Sequence, residues 1–152
     1  MSAEPVVLDT DALSEVSRGN LPFRERALGY LARFGRLTIT AVTVFERLRG
    51  YLMAIDAGKP FERQMQAFEA LVSNSVVLPF DEEAAHIAAE IWSRASRSQR
   101  QQVGDILIAS IAVSRRMPLV TRNRKDFEGL AKSSGVGLLL LDWSTPRTVS
   151  PR

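Results

Sequence analysis

The chain has 152 residues, 45% of them apolar and 24% charged, which fits one globular domain with its own core and excludes a disordered or fibrous protein. It contains no cysteine, which excludes disulfides, thiolate catalysis and sulfur-ligated zinc. The net charge is +3, and 17 of the 20 basic residues are arginine, which favours a phosphate-bearing or acidic partner but also fits arginine on solvated helix faces. The N-terminus shows no secretion signal and no apolar run reaches the ~20 residues of a membrane span, so we expect one cytoplasmic domain over residues 1–152 with no membrane contact.

Short apolar runs alternate with longer amphipathic stretches along the chain. In chain order they predict a strand at 6–9, a short helix capped near Asp11, a helix at 21–34, a strand at 36–40, helices at 41–58 and 60–74, a strand at 76–80, helices at 81–96 and 103–116, and strands at 118–123 and 138–143. Near-continuous apolar strands separated by helices are typical of a parallel sheet that is covered on both faces. We therefore predict a three-layer α/β/α domain with a mostly parallel central sheet of four or five strands.

Four acidic residues stand at positions where such a fold would bring them together. Asp9 ends the first strand, and the carboxyl ends of parallel strands are where α/β sheets bind ligands. Glu46 and Asp105 lie next to the apolar stripes of their helices, and Asp126 follows the fourth strand in the loop TRNRKDF. Each acid also has an ordinary explanation, as a helix cap, as the partner of a neighbouring surface arginine or as a turn residue.

Carboxylates that converge repel one another and need a cation to stay ionised together. An oxygen donor set without cysteine selects Mg²⁺ or Mn²⁺, which keep several of their waters when bound. Such ions activate water and stabilise the charge that grows on phosphoryl and leaving oxygens. The acids therefore suggest metal-assisted displacement at phosphorus. His86 is the single histidine and stands in an alanine-rich helix, so a histidine-based ribonuclease mechanism is disfavoured.

The chain resembles the PIN-domain ribonuclease family, and specifically the VapC toxins of prokaryotic toxin–antitoxin systems, in four segments: VVLDTDALSE, TAVTVFERLRG, GDILIASIA and PLVTRNRKDF. These segments occur in this order over nearly the whole chain. The resemblance implies a Mg²⁺-dependent endoribonuclease that cuts single-stranded RNA in tRNA or ribosomal RNA loops, with Mn²⁺ as an alternative ion. It further implies inhibition by a cognate VapB-like antitoxin, a homodimer and a higher toxin–antitoxin assembly.

The resemblance also assigns the acids of the site. Carried over by position, the first acid of the family falls on Asp9, its helix glutamate on Glu46 and its third acid on Asp105. The fourth falls at the position of Asn123 or at that of Asp126. Only Asp126 is charged, so the fourth acid is placed there, with Asn123 beside it as a supporting residue.

Three more polar residues beside these acids are candidates for supporting roles. Asp11 stands where the family more often has asparagine, and it either joins the metal site or caps the helix. Thr10 and Thr121 are placed to orient carboxylates or a water molecule.

Several arginines are candidate contacts to RNA phosphates. Arg47, Arg49, Arg122 and Arg124 neighbour the acids in sequence, and the polar segment 93–102 adds three more. A solvated surface is the alternative explanation for each of them. Aromatic residues amount to 7% of the chain and show no interleaved platform for stacking bases.

A set of apolar residues allows two interpretations. Phe23, Tyr30, Phe34 and the helices between Met53 and Phe68 either form core or form a surface for dimer and antitoxin contacts.

Two other functions compete with the metal-dependent nuclease. An apolar strand that ends in Asp-x-Asp also resembles the haloacid-dehalogenase-type phosphatases, in which Asp9 would be the nucleophile and Asp11 the acid. Against this, Leu13 stands where that family has threonine or valine, and Asp105 stands alone where it has paired acids. The second alternative is a non-catalytic PIN-like module that binds RNA or an antitoxin without cutting, which the presence of all four acids disfavours.

Overall fold

The computed structural model describes residues 4–145, so the ends of the predicted domain at residues 1 and 152 lie outside the described part. Within residues 4–145 it contains five strands, β1 Val7–Leu8, β2 Thr38–Thr40, β3 Val76–Leu78, β4 Leu119–Val120 and β5 Leu140–Leu141. The same part contains eight helices, α1 Thr10–Ser17, α2 Leu21–Phe34, α3 Ala41–Asp56, α4 Glu62–Ser73, α5 Glu82–Arg94, α6 Arg97–Arg100, α7 Val103–Ser114 and α8 Arg124–Ser134. No helix in this part is both long enough and apolar enough to span a membrane.

The strands pair in parallel throughout, in one ladder of order β1-β4-β5 and a second ladder of β2 with β3. β1 also contacts β2, which places the second ladder beside the first. Parallel pairing requires crossover connections, and the helices supply them. The prediction of a mostly parallel sheet is thus confirmed. The hydrogen bonds between strands form two separate ladders, one of three strands and one of two. Within each ladder the strands therefore present their carboxyl ends in the same direction. A contact between the hydroxyls of Thr10, after β1, and Thr43, after β2, brings the ends of the two ladders together.

Helices cover both faces of the strands, because successive strand residues point to opposite faces. Val7 and Leu119 pack into a core with α5, α7 and α8, whereas Leu8 and Val120 pack into a second core with α1, α2 and α4. All four strand residues are fully buried. This arrangement confirms the predicted three layers.

The predicted helix limits agree with the structure where a wide apolar stripe defines the helix, as in α2, whose limits match those predicted. Two helices were missed. α6 carries no buried residue and owes its form to a capping box between Ser96 and Gln99, and α8 buries only a narrow stripe around Phe127 and Leu130. The placement of Asp126 in a loop was therefore wrong, because it lies in the first turn of α8. The strands are shorter than predicted because the apolar runs extend beyond the paired residues.

The apolar residues that were predicted to form either core or an interaction surface differ in their burial. Phe23, Tyr30 and Phe68 are core, with 1%, 8% and 4% of their surface exposed, and Phe34 packs partly buried against them. Met53 is 67% exposed on α3. An interaction surface therefore stays a prediction only for the exposed side of α3.

We expect Tyr30→Phe to lower the free energy of unfolding by about 1–2 kcal/mol, because the buried Tyr30 hydroxyl accepts from the backbone N–H of Val6 and donates to its carbonyl. Urea unfolding measures the difference. Ser73→Ala is the matched control, since it removes an exposed hydroxyl that bonds only within its own helix. Equal unfolding midpoints for Tyr30→Phe and the unmodified chain would contradict the expectation.

Candidate active site

Asp9 is held from two sides at the carboxyl end of β1. Its backbone N–H donates to the carbonyl of Val120 in β4, at 3.0 Å. Its Oδ1 accepts from the backbone N–H of Ala12 at 2.7 Å, and its Oδ2 accepts from the hydroxyl of Thr121 at 2.6 Å. Only 2% of Asp9 is exposed. Asp9 is therefore the cap of α1, which corrects the cap predicted near Asp11, and it also lies at the ligand-binding edge of the sheet.

The charges around Asp9 are negative. Burial raises the pKa of Asp9 to about 7 against the opposing effect of its two hydrogen bonds, and the charges of Asp11 and Asp105 raise it further. Burial also raises the pKa of Asp105 to about 6, with contributions from the charges of Asp11, Glu46 and Asp126. The structure thus brings the other three predicted acids, with Asp11, within electrostatic reach of Asp105.

Glu46 reaches the site from the middle of α3. Its Oε1 accepts from the Thr10 hydroxyl at 3.0 Å, and that hydroxyl lies 3.1 Å from the hydroxyl of Thr43. On its other side the carboxylate packs against Gly104 of α7, where an added Cβ would lie 2.9 Å from Oε2. Because α3 and α7 approach so closely at this point, the glycine sets the position of the Glu46 carboxylate.

Both candidates for the fourth acid position lie side by side at the start of α8. The Asn123 side chain donates to Asp126 Oδ2 at 2.8 Å, and the Asn123 backbone N–H donates to the Thr121 hydroxyl at 2.8 Å. Thr121 donates in turn to Asp9. A continuous chain of hydrogen bonds therefore links the fourth acid to the first.

Hard divalent cations fit the donor chemistry of this site. The carboxylates are buried or half-buried, and the charges acting on Asp105 are all negative, so a cation would relieve both the burial and the repulsion. Between residues 4 and 145 no three acidic side chains are already arranged around one ion position. Protein hydrogen bonds hold Glu46 at Oε1 and Asp126 at Oδ2, and carboxylates oriented in this way can still bind a cation.

Two clefts open beside the acids. One, of about 470 Å³, lies between α3 and the α6–α7 region and is lined by Glu46, Asp105, Phe45 and Arg49 among others. The other, of about 320 Å³, is strongly polar and lies between α1 and the start of α8. An extended polar ligand can therefore approach the acids from either side.

Arg47 packs between helices and does not line either of these two clefts. Its guanidinium donates to the Ser14 hydroxyl at 2.9 Å and to the Tyr51 hydroxyl at 2.8 Å, and it lies over the rings of Tyr51 and Phe68. These contacts give Arg47 a packing role between α1, α3 and α4. Its predicted contact to phosphate stays a prediction.

The other three predicted arginines are more exposed. Arg49 stacks over the exposed ring of Phe45 at 5.2 Å. Arg122 is paired with the buried Glu15, and Arg124 with a glutamate one turn along α8. The side chains of Arg122 and Arg124 are 62% and 54% exposed despite these ion pairs.

Residues predicted farther along the chain make contacts within the protein. Arg94 and Arg100 donate to backbone carbonyls at 3.0 Å, and Arg100 also lies over the ring of Trp92. His86 is exposed on α5 and lies 3.5 Å from Glu82 of the same helix. These contacts suit structural roles.

Three contributors to the site were missed from the sequence. Thr43 is fully buried one helical turn before Glu46, and this spacing was a usable signal. Gly104 precedes Asp105 inside a helix, where a glycine generally needs a packing reason. Glu15 gave no signal, because its partner Arg122 is 107 residues away.

Comparisons with known proteins identify a family for the chain, and the matched family model spans all four acids. The family model described as PIN domain matches residues 6–133. The tRNA(fMet)-specific endonuclease VapC of Shigella flexneri is 33% identical over 112 residues, 72% of this chain and 77% of that protein. Ribonuclease VapC5 of Mycobacterium tuberculosis is 30% identical over 142 residues, 91% of this chain and 98% of that protein.

Solved structures show the same fold. DNA-bound VapBC from Salmonella typhimurium has a TM-score of 0.70 and 25% identity, covering 93% of this chain and 99% of that chain. VapBC-5 from Mycobacterium tuberculosis has a TM-score of 0.64 and 28% identity, covering 91% of this chain and all of that chain.

The raised pKa of Asp9 predicts a specific pH dependence of stability. Between the unfolded value of 3.8 and the folded value of about 7, the folded chain keeps a proton that the unfolded chain loses. The stabilisation from this group is therefore complete below the unfolded pKa and is lost as pH rises through the folded pKa. Without divalent cations, we expect a lower unfolding temperature at about pH 8 than at about pH 5, with most of the fall complete by about pH 7.

Asp9→Asn should remove most of this fall and stabilise the cation-free chain at about pH 8 by on the order of 2 kcal/mol, because asparagine still caps α1 but carries no charge. Thermal unfolding at both pH values in the presence of a chelator measures it. A variant with the same pH dependence as the unmodified chain would show that Asp9 is not the responsible group.

Proposed function

Because this chain belongs to the PIN-domain family, among the VapC-type ribonuclease toxins of toxin–antitoxin systems, we propose that it is a Mg²⁺-dependent endoribonuclease that hydrolyses phosphodiester bonds of single-stranded RNA. The observation that carries the proposal is the group of carboxylates around Asp9 and Asp105, where burial and mutual repulsion raise both pKa values. Buried carboxylates that repel one another are unfavourable on their own, and they are good ligands for a hard divalent cation.

In this proposal, Asp9, Glu46, Asp105 and Asp126 hold the metal. A bound Mg²⁺, or Mn²⁺ in its place, supplies an activated water and stabilises charge on the phosphoryl and leaving oxygens. Thr121 fixes the orientation of Asp9 and, with Asn123 and Asp126, forms one hydrogen-bonded unit.

Thr10 orients Glu46 in the same way. Asp11 is exposed in the first turn of α1, close enough to raise the pKa of Asp9 and Asp105, and we assign it to the outer part of the metal site. In this assignment, the negative charge of Asp11 is close to the bound cation and is not buried in the protein.

We propose tRNA or ribosomal RNA loops as substrates, because unpaired RNA can insert its sugar–phosphate backbone into the clefts beside the acids. A relative of 33% identity is named for a tRNA, which supports this class. Arg49 and Arg124, whose side chains are exposed, are the proposed phosphate contacts, whereas Arg122 is paired with the buried Glu15.

We further propose a cognate VapB-like antitoxin as the inhibitor, and a homodimer and higher toxin–antitoxin assembly in the cytoplasm. Several similar structures were solved as VapBC complexes, which supports the antitoxin. The family match over residues 6–133 supports a single catalytic domain over the chain.

One observation favours the alternative of a binding module that does not cut. Across the described residues 4–145, no three acids are already grouped around an ion. The phosphatase alternative is set aside, because both oxygens of Asp9 accept hydrogen bonds inside the fold and the chain belongs to a different family.

The direct test is cleavage of end-labelled single-stranded RNA and total tRNA by the purified chain, free of any antitoxin. We expect discrete cuts with Mg²⁺ or Mn²⁺ and none with EDTA. Asp9→Asn and Asp105→Asn should reduce cleavage by more than the roughly 10–100-fold that loss of a supporting residue causes. Asp56→Asn, the same chemical change on an exposed residue, is the control for altered charge. No cleavage in any metal, with tight binding of RNA, would favour the binding module.

A glycine-to-alanine pair tests the packing of Glu46. In Gly104→Ala, the new Cβ meets the Glu46 carboxylate, which must leave the position that Thr10 holds, so we expect cleavage to fall about 10-fold. Gly50→Ala is the matched control, because a Cβ at this helical position meets nothing within 4 Å, and we expect full activity. Equal cleavage rates for the two variants would show that the position of Glu46 does not limit the reaction.

A further inference from the structure

Glu15 is a buried carboxylate that the proposed reaction does not use. It lies in α1 with 5% of its surface exposed, in a position where an unpaired charge would be costly. Three side chains stabilise it: Asn20 donates to Oε2 at 2.8 Å, Arg122 donates to Oε1, and Arg18 lies 3.3 Å from Oε1. The hydrogen bond from Asn20, followed by the charge of Arg122, holds the pKa of Glu15 below its usual range.

The contact to Arg122 differs from the other two because it leaves the local region of the chain. Asn20 and Arg18 lie within five residues of Glu15, whereas Arg122 is 107 residues away in the segment between β4 and α8. This segment also contains Thr121, which bonds Asp9, and Asn123, which bonds Asp126.

Helix α1 is therefore tied to this segment at two points. At its N-terminus, Asp9 accepts from Thr121, and six residues later Glu15 pairs with Arg122. Two contacts on one rigid helix fix both the position and the direction of a segment, whereas a single contact leaves it free to rotate. The second contact thus fixes the approach of the α8 start to the acids.

We propose that Glu15 is a positioning residue: through Arg122 it fixes residues 121–126 so that Thr121 orients Asp9 and the Asp126 carboxylate stays beside the other acids. This inference rests on the proposed function, because it assigns a role in building the metal site. Glu15 itself touches none of the four acids in the contacts described for residues 4–145.

The pairing also bears on how Arg122 is used. Its side chain is 62% exposed, which suits a phosphate contact, but releasing it to RNA would leave the buried Glu15 with only its local partners. The structure therefore favours an Arg122 that stays paired with Glu15 while the substrate is bound.

The test uses full-length variants Glu15→Gln, Arg122→Ala and the double variant, with Arg18→Ala as the matched control. Arg18 contacts the same Glu15 oxygen from an exposed position on α1 and does not reach the 121–126 segment. Calorimetric titration with Mn²⁺ gives metal affinity without cleavage, RNA cleavage gives kcat and KM separately, and circular dichroism shows whether each variant is folded.

We expect Glu15→Gln and Arg122→Ala each to weaken Mn²⁺ binding and lower kcat about 10-fold, with little change in KM. The double variant should be no worse than either single variant, because both remove the same contact. Arg122→Lys, which keeps a positive charge near Glu15, should restore most of the Mn²⁺ affinity. Arg18→Ala should match the unmodified chain.

Other results separate the possible failures. If Arg122→Ala raises KM and reduces the salt dependence of RNA binding while Glu15→Gln has no effect, Arg122 is a phosphate contact and the positioning role is wrong. If folded Glu15→Gln is less stable but binds Mn²⁺ normally, Glu15 serves stability alone, which also overturns the proposal. An unmodified chain that neither binds Mn²⁺ nor cuts RNA would overturn the proposed function as well.

Discussion

The burial of one carboxylate, that of Asp9, is the constraint on which the site depends. Asp9 stands at the end of β1, accepts from the first turn of α1 and accepts from Thr121 after β4, so one side chain joins three elements. Capping a helix and facing the ligand edge of a sheet are usually treated as alternative explanations for such an aspartate. Here the same residue does both, because α1 begins directly where β1 ends.

The remaining acids come from three separate helices and are held by different means. Glu46 lies on α3 and Asp105 on α7, and the absence of a side chain at Gly104 lets the two helices approach. Asp126 arrives with α8 and is held by Asn123. The result is a group of acids with raised pKa values at Asp9 and Asp105, which lowers the stability of the cation-free chain near neutral pH and makes a cation favourable.

The sequence was informative where physical signals are local. Apolar runs indicated the strands, and the direction of a parallel sheet then located Asp9 at the ligand edge before any contact was known. Signals were weak where structure depends on distant partners. α8 was missed because its apolar stripe is narrow and is buried only by packing on α5 and α7. The pairing of Glu15 with Arg122 joins residues that are far apart in the sequence, so no local pattern predicts it. Thr43 is intermediate, since its spacing from Glu46 was visible but its burial was not.

The central claim is that these acids form a divalent-cation site that carries protons when no cation is bound. Calorimetric titration with Mn²⁺ near pH 6.5, repeated in buffers of different ionisation enthalpy, tests it most directly, because protons released on binding change the observed heat. With the pKa of Asp9 at about 7 and that of Asp105 at about 6, we predict saturable binding with net proton release that decreases in Asp9→Asn. Absence of saturable binding, or binding without proton release, would contradict this account.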